Sequence, residues 1–361
     1  MKSNTILFIL MVSFGLQGQV TLKADGPGQT YELITSVLAP GHNPIESPGE
    51  VDGSCDNHSS FGEHISEVFD ADLNDNVFKF SIHISNDNDR CKNFDRQRNE
   101  IKTYDQSPDN LLGVTDEIVE YKWKFKIDNN FQSSTSFTHL HQLKAVGGTE
   151  DSMPLITLTA RKASPDRLEL RYAESTSQTT LTTIELSLLK GNWVEVIETV
   201  TYGENGKYQI IINNVNTGNQ ILNYSDNNIR MWKTQADFIR PKWGIYRSLN
   251  NSSQLRDEEV LFADFSITEN STLSILSRTI NEAEVNVYPN PSRGTIRIDF
   301  PNSHKHYNLR IQDRLGKVIK NIQTSTKNID ISELPNGLYL FTFNTTQSNK
   351  LVTKKVVKID K

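Results

Sequence analysis

Three short segments of the 361-residue chain place ionisable side chains where a β-strand is usually bland. They are Arg96-Gln97-Arg98-Asn99-Glu100-Ile101-Lys102, Phe137-Thr138-His139-Leu140-His141-Gln142-Leu143 and Arg240-Pro241-Lys242-Trp243-Gly244-Ile245-Tyr246-Arg247. Imidazole and phenol groups can give and take protons as general acids and bases. Guanidinium and ammonium groups can hold carboxylate or sulfate. Strand alternation sends His139 and His141 to one face and Leu140 to the other. It also groups Arg98 with Glu100, and Lys242 with Gly244 and Tyr246, the glycine being expected to leave open space between a cation and a phenol. Two histidines without a third ligand at supportive spacing do not make a zinc site. The Asn86-Asp87-Asn88-Asp89 run carries oxygen ligands that suit calcium but lacks EF-hand spacing, and reads as a solvated acidic loop. No cofactor is required on this reading, and a structural calcium is the one metal left open.

The elements that must position these residues are strands. Between residues 25 and 269 period-2 alternation recurs, as in Val77–His83, Tyr121–Ile127, Leu155–Ala160, Arg167–Tyr172, Trp193–Ile197 and Tyr208–Asn213. Runs of this kind, separated by turn residues, predict one all-β sandwich domain, with a short helical stretch near Glu63–Asp70. Lys122, Lys124 and Lys126 alternate with Tyr121, Trp123 and Phe125, the pattern of a solvated face over a packed one. No Gly-rich phosphate loop and no serine nucleophile elbow is present, which argues against nucleotide enzymes and α/β-hydrolases.

The ends differ from the middle. Met1-Lys2 followed by the apolar run Ile6–Val12 and small residues predicts a secretory signal peptide over residues 1–18, too short in its apolar part to span a bilayer. Export permits a Cys55–Cys91 disulfide between the only two cysteines, closing a loop of about 36 residues for ~3–4 kcal/mol in the chain-entropy view. Residues 270–284 read as a linker, and 285–361 as a small β-sandwich of short strands. The charge divides with the domains. Residues 285–361 hold 13 Lys/Arg and 5 Asp/Glu, net +8, so the overall −6 leaves −14 on the remainder. That acidity excludes a general nucleic-acid binder.

Val287-Tyr288-Pro289-Asn290-Pro291, Arg293-Gly294 and Leu334-Pro335-Asn336-Gly337-Leu338-Tyr339, with the lysine-rich end, resemble the C-terminal sorting domain of the type IX secretion system. The resemblance implies secretion to the cell surface or medium, with that machinery as a partner. Arg98-x-Glu100-Ile101, His139-Leu140-His141 and Lys242-x-Gly244-Ile245-Tyr246 resemble, in order, the three signatures of jelly-roll polysaccharide lyases of the alginate-lyase type. His139 stands where those carry glutamine, and Arg240-Pro241 where they carry Tyr-Phe. The wording of the whole domain, residues 25–269, is most similar to ulvan lyases of polysaccharide lyase family 28.

That resemblance implies endolytic cleavage of an anionic algal polysaccharide by β-elimination. Arg98 and His139 match the positions that neutralise the uronate carboxylate, Tyr246 the catalytic tyrosine and His141 its partner histidine. Tyr246 is then the acid, with either Tyr246 or His141 as the base. Arg161, Lys162, Arg240, Lys242 and Arg247, with Gln142, are candidates to bind carboxylate and sulfate. The protein is expected to be monomeric, without a membrane span. The alternatives are a non-catalytic carbohydrate-binding jelly roll and a lyase acting on another polyuronate, glucuronan or alginate. A laminarinase-like hydrolase would need a pair of carboxylates in a Glu-x-Asp-x-x-Glu pattern, which the sequence lacks.

Overall fold

The computed structural model describes residues 18–48, 58, 60–269, 286–299, 307–313, 317–324, 326–345 and 348–360. The leader up to residue 17, the linker at 270–284 and Cys55 lie outside the described residues, and the expected Cys55–Cys91 bridge lies outside with Cys55. The chain divides into two compact units, residues 1–273 and 274–361.

The first unit runs β1 (Gly18–Leu22), α1 (Thr30–Leu38), β2 (Ile45–Glu46), β3 (Ile65–Asp70), β4 (Asp75–Ile82), β5 (Arg96–Lys102), β6 (Ile118–Ile127) and β7 (Thr138–Val146). It continues with β8 (Ile156–Arg161), β9 (Arg167–Tyr172), β10 (Thr179–Glu185), β11 (Val194–Thr201), β12 (Gly206–Asn214), β13 (Gln220–Ile229), β14 (Phe238–Ser248) and β15 (Glu258–Glu269). One sheet has the order β13-β12-β11-β6-β15-β4-β3, with β1 added on β15; the other has the order β10-β9-β8-β7-β14-β5-β2. Antiparallel neighbours far apart in sequence, such as β5, β14 and β7, make this a β-jelly roll. Phe78, Phe80, Trp123, Phe125, Trp243 and Phe262 fill the core and are fully buried or nearly so. In β6 burial alternates strictly, with Tyr121, Trp123 and Phe125 inward. Outward, Lys124 and Lys126 pair with Asp264 and Asp72.

The helix expected near Glu63–Asp70 is a strand, β3, paired along its length with β4. Its inward position is taken by a polar residue: the Glu67 carboxylate accepts the backbone N–H groups of Asp25 and Gly26. Phe69 meanwhile is 64% exposed, so the apolar alternation that marks a half-buried strand is lost. The helix lies at α1 instead, where Thr30, Ile34 and Leu38 recur at the four-residue spacing of one buried face.

The second unit is also all-β, with β16 (Asn286–Tyr288), β17 (Thr295–Asp299), β18 (Tyr307–Asp313), β19 (Val318–Thr324), β20 (Asn328–Asp330), β21 (Gly337–Thr345) and β22 (Ser348–Lys358). They form a three-stranded sheet, β16-β17-β20, and a four-stranded sheet, β19-β18-β21-β22. Ile296, Ile298, Leu309, Ile311, Phe341 and Phe343 form its core.

Candidate active site

The three ionisable segments become β5, β14 and β7, adjacent in one sheet. Tyr246 pairs with Arg98 on one side and with His139 on the other. Lys242 pairs with Lys102 and Gln142. Over these strands lies a groove of about 510 Å³ whose floor includes Arg98, His139, Gln142, Lys242 and Tyr246. Five arginines line it, at Arg90, Arg96, Arg98, Arg161 and Arg240. Lys144 and Lys242 add two further cations, against Glu46 as the one carboxylate in the lining. A chain whose first 284 residues carry net −14 therefore concentrates positive charge in one place.

The two histidines do not share a face. β7 bulges against β8, so that His139 pairs with Thr159 but His141 pairs with the adjacent Leu158. One extra residue in a strand reverses the alternation beyond it. His139 therefore faces the groove, its ring stacked on Phe137 at 4.7 Å and tilted 5.8 Å from the Tyr246 ring. His141 points into the core between the sheets, 4.4 Å from the Trp123 ring, with Nε2 2.9 Å from Glu198 Oε2. The structure thus places His139, and not the expected His141, in the groove beside Tyr246.

His139 Nδ1 lies 2.8 Å from Thr159 Oγ1, which lies 2.8 Å from Thr157 Oγ1. Burial, with Arg98, Arg161 and Arg171 adding to it against Glu100, pushes the imidazole down to about 3. At neutral pH it is an uncharged base. Burial raises the Tyr246 phenol above its ordinary value, and Arg98 and Arg96 only partly pull it back, so it stays protonated. Arg96 Nη1 donates to the Tyr246 hydroxyl at 3.2 Å.

Beneath the groove the cations are held by buried acids. Lys242 Nζ contacts Glu46 Oε2 at 2.5 Å and Glu100 Oε2 at 2.7 Å. Lys102 and Arg90 donate to Glu46 Oε1 at 2.7 and 2.9 Å. Arg98 donates to Glu100 and, through Nε, to Asp89 at 2.8 Å. Gln142 also donates to Glu100. Burial opposes the charge on Glu46, yet Lys242, Arg98, Lys102 and Arg90 hold its carboxyl well below the usual range. Most Arg98 donors are committed to these acids, so it serves the groove as a fixed charge under Tyr246. Lys144, by burial and by the nearness of Lys242 and Arg240, is brought down to about 8.

The remaining expected residues divide. Arg161 lines the groove, tied by Nε to Glu169 at 3.0 Å, and Arg240 lines it beside Thr103. Lys162 does not line it and pairs with Asp166 at 3.1 Å. Arg247 is turned away: it is adjacent to Tyr246 in a strand, hence on the opposite face, and donates to Gln97 Oε1 at 2.8 Å in the interior. Gly244 does not open space. Its φ is +146°, and a Cβ there would lie 2.1 Å from the Asn99 carbonyl oxygen, so the glycine permits two backbones to close up. The Asn86–Asp89 run is not a solvated loop, since Asp87, Asn88 and Asp89 are all buried. Asp89 holds Arg98 and Arg90, and Asp87 faces histidines rather than a calcium-like oxygen shell. Sequence reasoning missed Glu46, Arg90, Arg96, Phe137 and Lys144. Only Arg96 and Phe137 carried a signal, each falling within a singled-out segment at the same parity as a site residue.

A jelly roll that places a neutral imidazole and a protonated phenol side by side in a cationic groove has the charge to hold an anionic ligand and the groups to move protons. The polysaccharide lyase family model matches residues 62–265, more than half of the chain, and the chain belongs to that family. The secretion system C-terminal sorting domain matches residues 286–359, and marks the protein for type IX secretion to the cell surface or the medium. Among solved structures, an endo-β-1,4-glucuronan lyase from the fungus Trichoderma reesei is 13% identical, with a TM-score of 0.41 over 62% of this chain and 93% of that one. An alginate lyase from Klebsiella pneumoniae is 10% identical, with a TM-score of 0.45 over 63% of this chain and 95% of that one. No match was found among curated proteins. Among the described residues no helix is long and apolar enough to cross a membrane.

Proposed function

We propose that this lyase cleaves a sulfated, uronate-containing polymer of the ulvan type by β-elimination, with His139 as base and Tyr246 as acid. The observation that carries the reading is the pairing of these two residues across adjacent strands on the floor of the cationic groove. If Nδ1–H of His139 donates to Thr159, and Thr159 to Thr157, the Nε2 lone pair is left for the substrate. Nε2 takes the proton from C5, the C5–H electron pair becomes the C4=C5 double bond, and the C4–O4 bond breaks towards O4. Tyr246 gives its proton to that oxygen. C5 is acidic only while the adjacent carboxylate is neutralised, and Arg96 and Arg98, one at the phenol oxygen and one under its ring, are the nearest cations to do so. The outer cations Arg161, Arg240 and Lys144 suit sulfate and further carboxylates. The resemblance of the domain to ulvan lyases of family 28 supports the choice of polymer.

The test is ultraviolet absorbance of products on ulvan, glucuronan, alginate and heparin-type chains. An unsaturated product from ulvan is expected. A product only from another polyuronate moves the substrate, binding without absorbance supports a lectin, and unabsorbing fragments indicate a hydrolase.

A further inference from the structure

Away from the groove, His58, His64, His83 and Asp87 bring their ligand atoms within 4.8 Å of one another. His64 precedes β3, His83 follows β4, and Asp87 lies in the connection to β5. His58 Nδ1 and His64 Nε2 lie 3.0 and 3.1 Å from Asp87 Oδ1, and His83 Nδ1 lies 3.1 Å from Oδ2. The three imidazole rings stand 4.6 to 5.5 Å apart, edge to face, around one point. Phe61 packs across all three rings at 4.2 to 5.2 Å while remaining 42% exposed.

We propose that His58, His64, His83 and Asp87 form a structural zinc site. Three imidazole nitrogens and one carboxylate oxygen are a donor set for a borderline metal such as zinc, and a poor one for calcium or magnesium. Tetrahedral zinc with bonds of about 2.0–2.1 Å separates its ligand atoms by about 3.3 Å. The two separations to Asp87 Oδ1, 3.0 Å from His58 Nδ1 and 3.1 Å from His64 Nε2, already approach that edge, and all four ligand atoms lie within 4.8 Å of one another. Without a metal, three imidazoles must each aim a proton at one buried carboxylate that also accepts the backbone N–H of His83. A single dication replaces those three protons. Four protein ligands leave no open position, which is the arrangement of a structural site rather than a catalytic one.

Its place in the fold gives it a task. Gln97 on β5 donates to the carbonyls of His83 and Asp87, and Asp89, two residues on, grips Arg98. A metal bound here fastens the connection that fixes the groove's central arginine.

The experiment uses the full chain, stripped with dipicolinate and titrated with zinc chloride against a chromophoric competitor, with metal counted by mass spectrometry. One zinc per chain is expected, a melting temperature raised by several degrees, and a tetrahedral visible spectrum when cobalt is substituted. His58→Ala and His83→Gln should each weaken zinc binding at least 100-fold, and calcium should not raise the melting temperature. Substoichiometric uptake by the folded wild-type chain, an octahedral cobalt spectrum, or unchanged affinity in both variants overturns the proposal. Should a variant misfold, the wild-type stoichiometry and cobalt spectrum decide.

Discussion

The guanidinium carbon of Arg98 lies 3.5 Å from the centroid of the Tyr246 ring. A cation at that distance is attracted to the ring face and also favours any negative charge that develops on the phenol oxygen. Arg96 meets the same phenol from its oxygen end. Tyr246 is thereby fixed in position, and burial keeps it protonated at rest, as the proposed role of acid requires.

Tyr246→Phe keeps the ring over Arg98 and removes the hydroxyl, which is both the proton donor and the acceptor of the Arg96 hydrogen bond. Turnover should fall about 10²–10⁴-fold, the usual worth of a positioned acid, with the melting temperature unchanged. Full activity in the absorbance assay would remove Tyr246 from the mechanism.

The histidines should separate cleanly. His139→Ala should lower kcat by about 100-fold or more while leaving the fold intact. His141→Phe should leave kcat of the folded protein within a few-fold. It deprives Glu198 of one of its two side-chain partners, the other being Tyr208 at 2.7 Å, and should cost about 1–3 kcal/mol in denaturant unfolding. The reverse pattern would restore His141 as the catalytic residue.

Acid should weaken the protein through His139. The unfolded imidazole protonates near 6.5, whereas the folded one refuses the proton until about 3. Across that window the unfolded chain holds the extra proton, so stability falls as pH drops. Denaturant midpoints for His139→Gln should decline less steeply than wild type between those two values. On the alkaline side the raised Tyr246 keeps its proton, so turnover should persist until the phenol ionises above its ordinary range.

Lys242→Met should destabilise by about 3–5 kcal/mol, because it removes one partner from a buried ionic cluster and leaves Glu46 and Glu100 with less positive charge. Urea denaturation measures this directly. Gly244→Ala should also destabilise, by about 1–3 kcal/mol for the strained φ together with the collision at Asn99, and should lower turnover by displacing Tyr246.

The sandwich was legible because its strands alternate, and β6 shows the pattern without interruption. Lys242, Gly244 and Tyr246 were grouped correctly since β14 runs in unbroken register with β5. His141 was misplaced because a bulge has no signature in residue types. Arg247 was misplaced for a different reason: alternation put it opposite Tyr246, but its charge suggested the groove. Glu46 sits on a strand of two residues, too short for any periodicity to show. The spacings His58 to His64 and His83 to Asp87 could have pointed to a ligand set, but only the fold brings the two pairs together.

The acids under the groove have a kinetic consequence. Glu46 and Glu100 hold Lys242, Lys102, Arg90 and Arg98 in place whether or not a polymer is present. Little side-chain freedom is therefore left for a polymer to remove when it binds. Such a groove selects by charge spacing before it selects by chemistry. On the proposed function, a sulfated chain without uronate would then enter it as an uncleavable competitor.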